Sequence, residues 1–386
     1  MLEARFHDAM VDFAPAEWDR LAASDNPFVR HAFLAGLERF GCIGPERGWR
    51  PHHLGLYESQ RLVAAAPLYL KGNSRGEFVF DWGWAHAWEE AGRRYYPKLL
   101  NASPWSPVTG PRLLAGDEPA LKRVLTEAMQ SECVRLGLSS VHANFLSAED
   151  AQAFDSSWLA RFDIQFHWRN RGYRDFEDFL AALRHRKRKN IRQERRQARD
   201  SGLECAMHDA ATLEEADWHV VHALYCQTFA EKGNVGVLSA GFLQWLARHA
   251  DIRLQVALAR RGKDIIAMAL FLESGDTLYG RYWGAREHHA GLHFELCYYL
   301  GIEHCIGHGI ARFEPGAQGR HKMARGFVPV RTHSRHFLPH AGFRAAVAAA
   351  LRDEAEALTD WQHELEDHSP YVEHAGASRA RPGWRT

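Results

Sequence analysis

No run of 18 or more apolar residues occurs in the 386-residue chain, and the start, MLEARFHDAMVDFAPAEWDR, has no basic segment followed by an apolar one. Neither a membrane span nor a secretory signal is expected, and a cytoplasmic location follows. Six cysteines (Cys42, Cys133, Cys205, Cys226, Cys297, Cys305) form no CxxC pair, which argues against a disulfide framework or a zinc–thiolate knuckle. HExxH, Walker A and GxSxG patterns are missing, so a required metal, a phosphate-cradling loop of that kind and a serine nucleophile are not expected. Net charge is lacking too: 48 basic residues balance 48 acidic ones, so any polyanion must be held locally. Lysine is scarce, with 8 against 40 arginines.

Hydrophobic residues at 46% and charged residues at 25% match an ordinary globular protein, and the length exceeds what one core supports. Residues 52–71 read as two short strands broken by ESQR; residues 252–282 read as three strands broken by RRGKD and ESGD. Each meander leads to a helix and another strand, about 117–136 then SSVHANF, and about 291–308 then ARFEPG. The order suits a mixed α/β sheet and an internal duplication. Asp175 to Gly202 reads as one helix, capped by Asp175 and ended by Gly202. We therefore expect domains at 1–168 and 169–345, then an acidic helix over 342–367 and a frayed end after 368.

Between Arg184 and Arg199, RHRKRKNIRQERRQAR holds nine Lys or Arg and a single acid, Glu194. The functional reading is contact with phosphates through Arg188, Arg192 and Arg195; the plain one is a solvated helix paired to the acidic C-terminal helix. No helix-turn-helix, zinc-finger or zipper pattern accompanies the charge, so DNA is not the expected partner.

FEDFLAALRHRKRKNIRQERRQARDSGLE, followed by YCQTFAEKGNVGVLSAGFLQWL, resembles the second domain of Fem-type aminoacyltransferases. YGRYWGAREHHAGLHFELCYYLGIEHCIGHGIARFEPGAQGRHKMARGFVPV, with DWGWAHAW and YYPKLLNASPWSPVTGPRLL upstream, is similar to the FemAB-like N-acyltransferases. The resemblance spans about residues 25–345. It implies two tandem GNAT-like domains, each a mixed, largely antiparallel sheet flanked by helices, and transfer of an acyl or aminoacyl group to an amine. Aminoacyl-tRNA or acyl-CoA would then be a co-substrate, with no bound cofactor. REHHAGLHFE departs from the Gln/Arg-x-x-Gly-x-Gly/Ala loop that grips coenzyme A in conventional acetyltransferases. A cell-wall or peptide precursor would be a fitting acceptor. On the match of HKMARGF, Lys322 is expected to contact a phosphate-bearing substrate, within a polar cluster that includes Arg325.

Acyl transfer needs an amine stripped of a proton and a stabilised oxyanion. Glu295 and His293 stand at the start of a helix, where the dipole favours a neutral imidazole and a carboxylate can bind an ammonium; capping or packing is the alternative for both. Glu314 closes a strand, where side chains project into ligand clefts, or is a turn carboxylate before Pro315. Asp81, Trp84 and His86 in DWGWAHAW read as a pocket wall, or as an aromatic subcore with Asp81 capping a turn. Ser140, His142 and Asn144 alternate with apolar residues as one polar edge, which would let His142 face a substrate or simply the surface. Tyr279 and Tyr282 complete the expected cleft. The rival reading is a non-catalytic RNA-binding or adaptor protein on a degenerate transferase fold.

Overall fold

The computed structural model describes residues 2–317 and 319–372. They form two compact units, the first of residues 2–163, 237–252 and 331–359, the second of 164–236, 253–330 and 360–372.

In the first unit β1 (Leu2–His7), α1 (Pro15–Ala22) and α2 (His31–Arg39) precede β2 (Trp49–Pro51), β3 (His53–Glu58), β4 (Arg61–Ala66) and β5 (Leu68–Lys71). Next come α3 (Trp82–Glu90), β6 (Lys98–Asn101), α4 (Pro119–Arg135) and β7 (Val141–Leu146). Proline at the first turn of α1 and α4 fixes φ where no backbone donor is needed. Strands β1, β3 and β4 form one antiparallel sheet; in the other, β5 pairs antiparallel with β6, and β6 pairs parallel with β7 through the α4 crossover. Leu99, Leu125, Met129 and Val141 close the core between α4 and the strands.

The second unit repeats this plan. It uses β8 (Leu159–Arg169), α5 (Phe176–Ala181), α6 (His185–Asp200), β9 (Glu204–Asp209) and α7 (Glu215–Ala230). After α8 (Ala240–Ala247), which belongs to the first unit, come β10 (Arg253–Arg261), β11 (Asp264–Glu273) and β12 (Thr277–Ala285). A helix follows in three parts, α9 (Leu292–Phe294), a π-helical turn (Glu295–Tyr299) and α10 (Leu300–His308), then β13 (Arg312–Glu314), β14 (Val328–Phe337) and α11 (Ala341–Asp367). Strands β10 to β12 are an antiparallel meander, β9 adds antiparallel to the edge of β10, and β12 pairs parallel with β13. The last strands are exchanged: β8 follows β7 yet pairs with β13, and β14 follows β13 yet pairs with β7.

The expected hairpin and meander are present, as is the acidic helix. The division at 168 and 345 misses the returns of 237–252 and 331–359 to the first unit. Asp175 caps α5 by accepting from Asp178 N, but the single helix expected to Gly202 is broken at 182–184. There Arg184 N donates to Pro370 O and Val372 N to Ala182 O, and Leu183 bridges Tyr371 antiparallel, so the backbone after Ala182 is paired with a neighbouring segment instead of continuing the helix. Residues 369–372 are consequently not frayed: the Tyr371 hydroxyl donates to Gly326 O at 2.6 Å. The remainder of the expected frayed end, 373–386, lies outside the described residues. DWGWAHAW is the start of helix α3, and no residue of β7 is at a solvent edge, because both of its faces are covered.

Candidate functional site

In the second unit the parallel pair β12–β13 places Tyr279 opposite Glu314 at the last register position. Both are buried, and loop 315–317 follows at once. Carboxyl ends of parallel strands are where backbone direction changes and side chains can converge on a ligand. His167 on β8 joins them, its Nδ1 3.8 Å from Glu314 Oε1 and its Nε2 3.1 Å from Gln165 Oε1. Burial, helped by the positive charges of Arg312, Lys322 and Arg169, pulls the His167 pKa down to about 3, so the ring is neutral at pH 7.

Lys322 lies in a 3₁₀ turn and is 3% exposed. Its ammonium donates to Gly316 O at 2.8 Å, with Ala317 O at 3.4 Å and Pro315 O at 3.5 Å. Burial lowers its pKa to about 8. The lysine expected to meet phosphate is therefore seated in the backbone of the loop that follows Glu314. His293 packs edge-on against Trp283 and Tyr298; burial, with His321 and Arg325 nearby, lowers it to about 4. Its neutral form was expected from the helix dipole, but burial is the larger cause.

Two ion-pair systems tie α6 to this region. Arg195 binds Glu295 with Nη2–Oε1 at 2.7 Å and also Glu303 at 2.8 Å. Arg325 holds Glu194 at 2.7 Å, stacks its guanidinium 3.4 Å from the Phe294 centroid, and shares Glu194 with the Tyr299 hydroxyl. Arg195 is thus committed to internal carboxylates, a correction to its reading as a phosphate ligand: it faces inward, on the side of α6 that also buries Ile191 and Ala198. Arg188 and Arg192 do face outward, with Lys189 and Arg196, along a shallow groove of about 500 Å³. Arg192 also meets Glu177 at 2.5 Å. Tyr282 lies elsewhere on β12, against the Tyr225 ring of α7.

The first-unit candidates belong to a different cluster. Asp81 precedes α3 and is 3% exposed; Ser74 donates to it at 2.5 Å, Tyr95 at 2.6 Å, and Lys98 contacts it directly. Burial alone would raise its pKa, but Lys98 and His142 outweigh this and hold the carboxyl well below its ordinary range. Lys98 also binds Glu77 at 2.8 Å. His142 is in the interior, with Nδ1 2.6 Å from His336 Nδ1 and Nε2 2.8 Å from Ser140 Oγ, which corrects the surface reading. Trp84 covers this imidazole pair, 5.0 Å from His336. His86 points to solvent and pairs with Glu90 at 3.2 Å, one turn along α3, so it is not part of a pocket wall. The helical period separates it from Trp84.

Sequence reasoning missed His167, Glu194 and Lys98. Only contacts remote in sequence reveal them; the lone acid in the basic run was the one visible hint.

Two successive units, each with an antiparallel meander feeding a parallel strand–helix–strand pair, define a tandem GNAT-like fold. The chain belongs to the FemAB-like family, described as peptidoglycan biosynthesis/recognition, whose model matches residues 9–373. Among solved structures it is similar to FemX, at 8% identity over 90% of this chain and 100% of that one, with a TM-score of 0.52. It is also similar to the C-terminal domain assigned to a lysylphosphatidylglycerol synthetase from Agrobacterium fabrum, at 12% identity over 88% and 95%, TM-score 0.51. A tandem GNAT protein from the clavulanic acid pathway aligns at 13% identity over 87% and 98%, TM-score 0.43. At such identities the likeness is one of fold. No curated protein matches the sequence significantly. Among the described residues no helix is long and apolar enough to cross a membrane.

Proposed function

We propose that this protein is an N-acyltransferase that moves an acyl or aminoacyl group from an activated, phosphate-bearing donor to an amine, the acceptor being a cell-wall or peptide precursor. The observation that carries this reading is the buried Glu314 at the carboxyl end of β13, opposite Tyr279 and ahead of the loop that seats Lys322. Membership of the FemAB-like family supports the same chemistry. In the reaction the amine lone pair forms a bond to the acyl carbon, the carbon–oxygen bond of an ester donor or the carbon–sulfur bond of a thioester breaks, and the amine proton ends on the leaving group by way of a carboxylate. Glu314 is the carboxylate we assign to that transfer. Glu295, neutralised by Arg195, holds α9 and His293 in place beside α6. The exposed cations of α6 are the docking surface for the donor's phosphates.

Bulk aminoacylated tRNA, deacylated tRNA and a panel of acyl-CoA thioesters, compared for binding at two salt concentrations, test the donor. Preference for charged tRNA supports aminoacyl transfer; saturable thioester binding with charge-blind, salt-sensitive tRNA binding supports acyl-CoA. Glu314→Gln should lower kcat/KM by about 10²- to 10⁴-fold. Retained cellular function in Glu314→Gln and Glu295→Gln, with loss in Arg188→Ala/Arg192→Ala, would instead favour the non-catalytic RNA-binding adaptor.

A further inference from the structure

We infer that a cleft in the second unit, between the edge strand β9 and helix α10, is a binding site for an aliphatic di- or polyamine. In GIEHCIGHGI the two histidines stand four residues apart, so His304 and His308 lie on the face of α10 that Leu300 begins. Facing them, the antiparallel register sets Asp209 of β9 level with Gln255 of β10, and Met207 shares the Asp209 side of its strand. With Glu303, these walls line a cleft of about 460 Å³ that contains no lysine or arginine.

The polar atoms of the lining are hydrogen-bond acceptors. The His304 side chain is 9% exposed, and its Nε2 lies 2.7 Å from Glu273 Oε2. A carboxylate there fixes the proton on Nε2 and leaves Nδ1 a lone pair that no group among the described residues meets. His308 donates from Nδ1 to His304 O at 2.9 Å, which leaves its Nε2 as an acceptor too. Asp209 accepts from Ala211 N at 2.9 Å through Oδ1, and Oδ2 has no partner among the described residues. Glu303 and Glu295 share one guanidinium, that of Arg195, so this trio keeps one negative charge. Arg253 is likewise paired, to Glu273 at 3.0 Å. The cleft thus carries surplus negative charge and acceptors on two walls, with Met207 and Leu300 as its apolar surface.

Those features select the ligand class. Among the described residues no three His, Cys, Asp or Glu side chains are grouped closely enough to hold a metal ion. The acceptors are too spread for one point charge, and they suit a chain with an ammonium at each end: one end donates to Asp209, the other to His304 and Glu303, in charge-assisted hydrogen bonds. The methylenes between them cover Met207 and Leu300. Strands β10 and β9 stand third and fourth along the sheet from β13, roughly 14 Å or more from it at about 4.8 Å per strand. The cleft is therefore separate from Glu314, and its ligand chemistry does not rest on the acyltransferase reading.

Calorimetric titration of the full-length protein tests the site. Putrescine dihydrochloride should bind saturably and one-to-one, and butylamine, which reaches one wall only, should bind at least about ten-fold more weakly. Sodium chloride at equal ionic strength should not reproduce the heat. Asp209→Asn and His308→Ala, both at exposed positions, should each weaken putrescine about ten-fold with the urea midpoint unchanged, and His304→Leu about ten- to hundred-fold. In ¹⁵N-histidine spectra putrescine should shift the His304 Nδ1 resonance, identified by its loss in His304→Leu. Equal affinity for butylamine and putrescine, putrescine binding untouched by Asp209→Asn and His304→Leu, or an Nδ1 resonance indifferent to putrescine would each overturn the amine site. Zinc chloride whose binding is lost in His304→Leu, with putrescine silent, would overturn it in favour of a metal ion. Transfer activity enters none of these readings, so an inactive Glu314 site would leave the amine cleft standing.

Discussion

Lys98 shows how a single buried side chain can carry an entire cluster. Fully buried, it is matched by Asp81, Glu77 and the Ser74 hydroxyl. Removing one partner leaves uncompensated charge in the interior, so Lys98→Met should destabilise the protein by about 3–5 kcal/mol, read as a shift in urea midpoint. The triple variant Lys98→Met/Asp81→Asn/Glu77→Gln should be less destabilised than the single one, because the two carboxylates that faced Lys98 are gone and Lys71, 3.9 Å from Glu77, can shed its proton. Asp81 also sets a pH dependence. Its folded carboxyl titrates below the unfolded value of about 3.9, so its stabilisation is complete above about pH 5 and is lost as pH falls through 4 towards the lower folded value. Asp81→Asn should flatten that acid limb of the stability curve. From the sequence, Asp81 was legible as a capping or binding carboxylate; Lys98, 17 residues away, was not, because nothing in a strand of Lys-Leu-Leu-Asn signals a buried ammonium.

Helix α6 divides its charges between two tasks. The inward pair Glu194 and Arg195 fastens α9 and the π-helical turn, and the outward set Arg188, Lys189, Arg192 and Arg196 meets solvent. Replacing Arg188 and Arg196 by alanine should leave stability within about 0.5 kcal/mol and reduce the salt slope of tRNA binding by about 2. The seam with α9 is tight. Gly291 has φ +79°, and a Cβ there would fall 2.2 Å from Glu194 O, so Gly291→Ala should cost about 1–3 kcal/mol by chemical denaturation. A run of nine cations read from the sequence announces a concentration of positive charge. It does not announce which arginine is turned inward, since that depends on where Glu295 and Glu303 arrive from another 100 residues along the chain.

For the whole chain, the exchange of terminal strands has a direct consequence for fragments. Strand β7 needs β14 as its partner, through His336 and Phe337 opposite His142 and Val141, and α2 needs α8, whose Phe242 ring lies 5.7 Å from Phe33. A fragment ending at residue 168 has neither. It should lack the dispersed amide spectrum of a folded unit, whereas a chain keeping residues 2–372 should show it; circular dichroism and two-dimensional NMR decide between them. A well-dispersed 1–168 fragment would mean that β14 and α8 add little to the first unit.

Periodicity and turn residues in the sequence alone determined the two meanders, the crossover helices α4 and α9–α10, and the long helix α11, because local hydrophobic spacing and capping act within a few residues. The concentration of charge in α6 was likewise written in the chain. Tertiary structure alone decided that β8 and β14 change places, that Arg195 serves Glu295 while Arg188 serves solvent, and that His167 comes level with Glu314. These outcomes depend on pairings across one hundred or more residues, where burial and the satisfaction of buried charge select among arrangements that local propensity leaves equal.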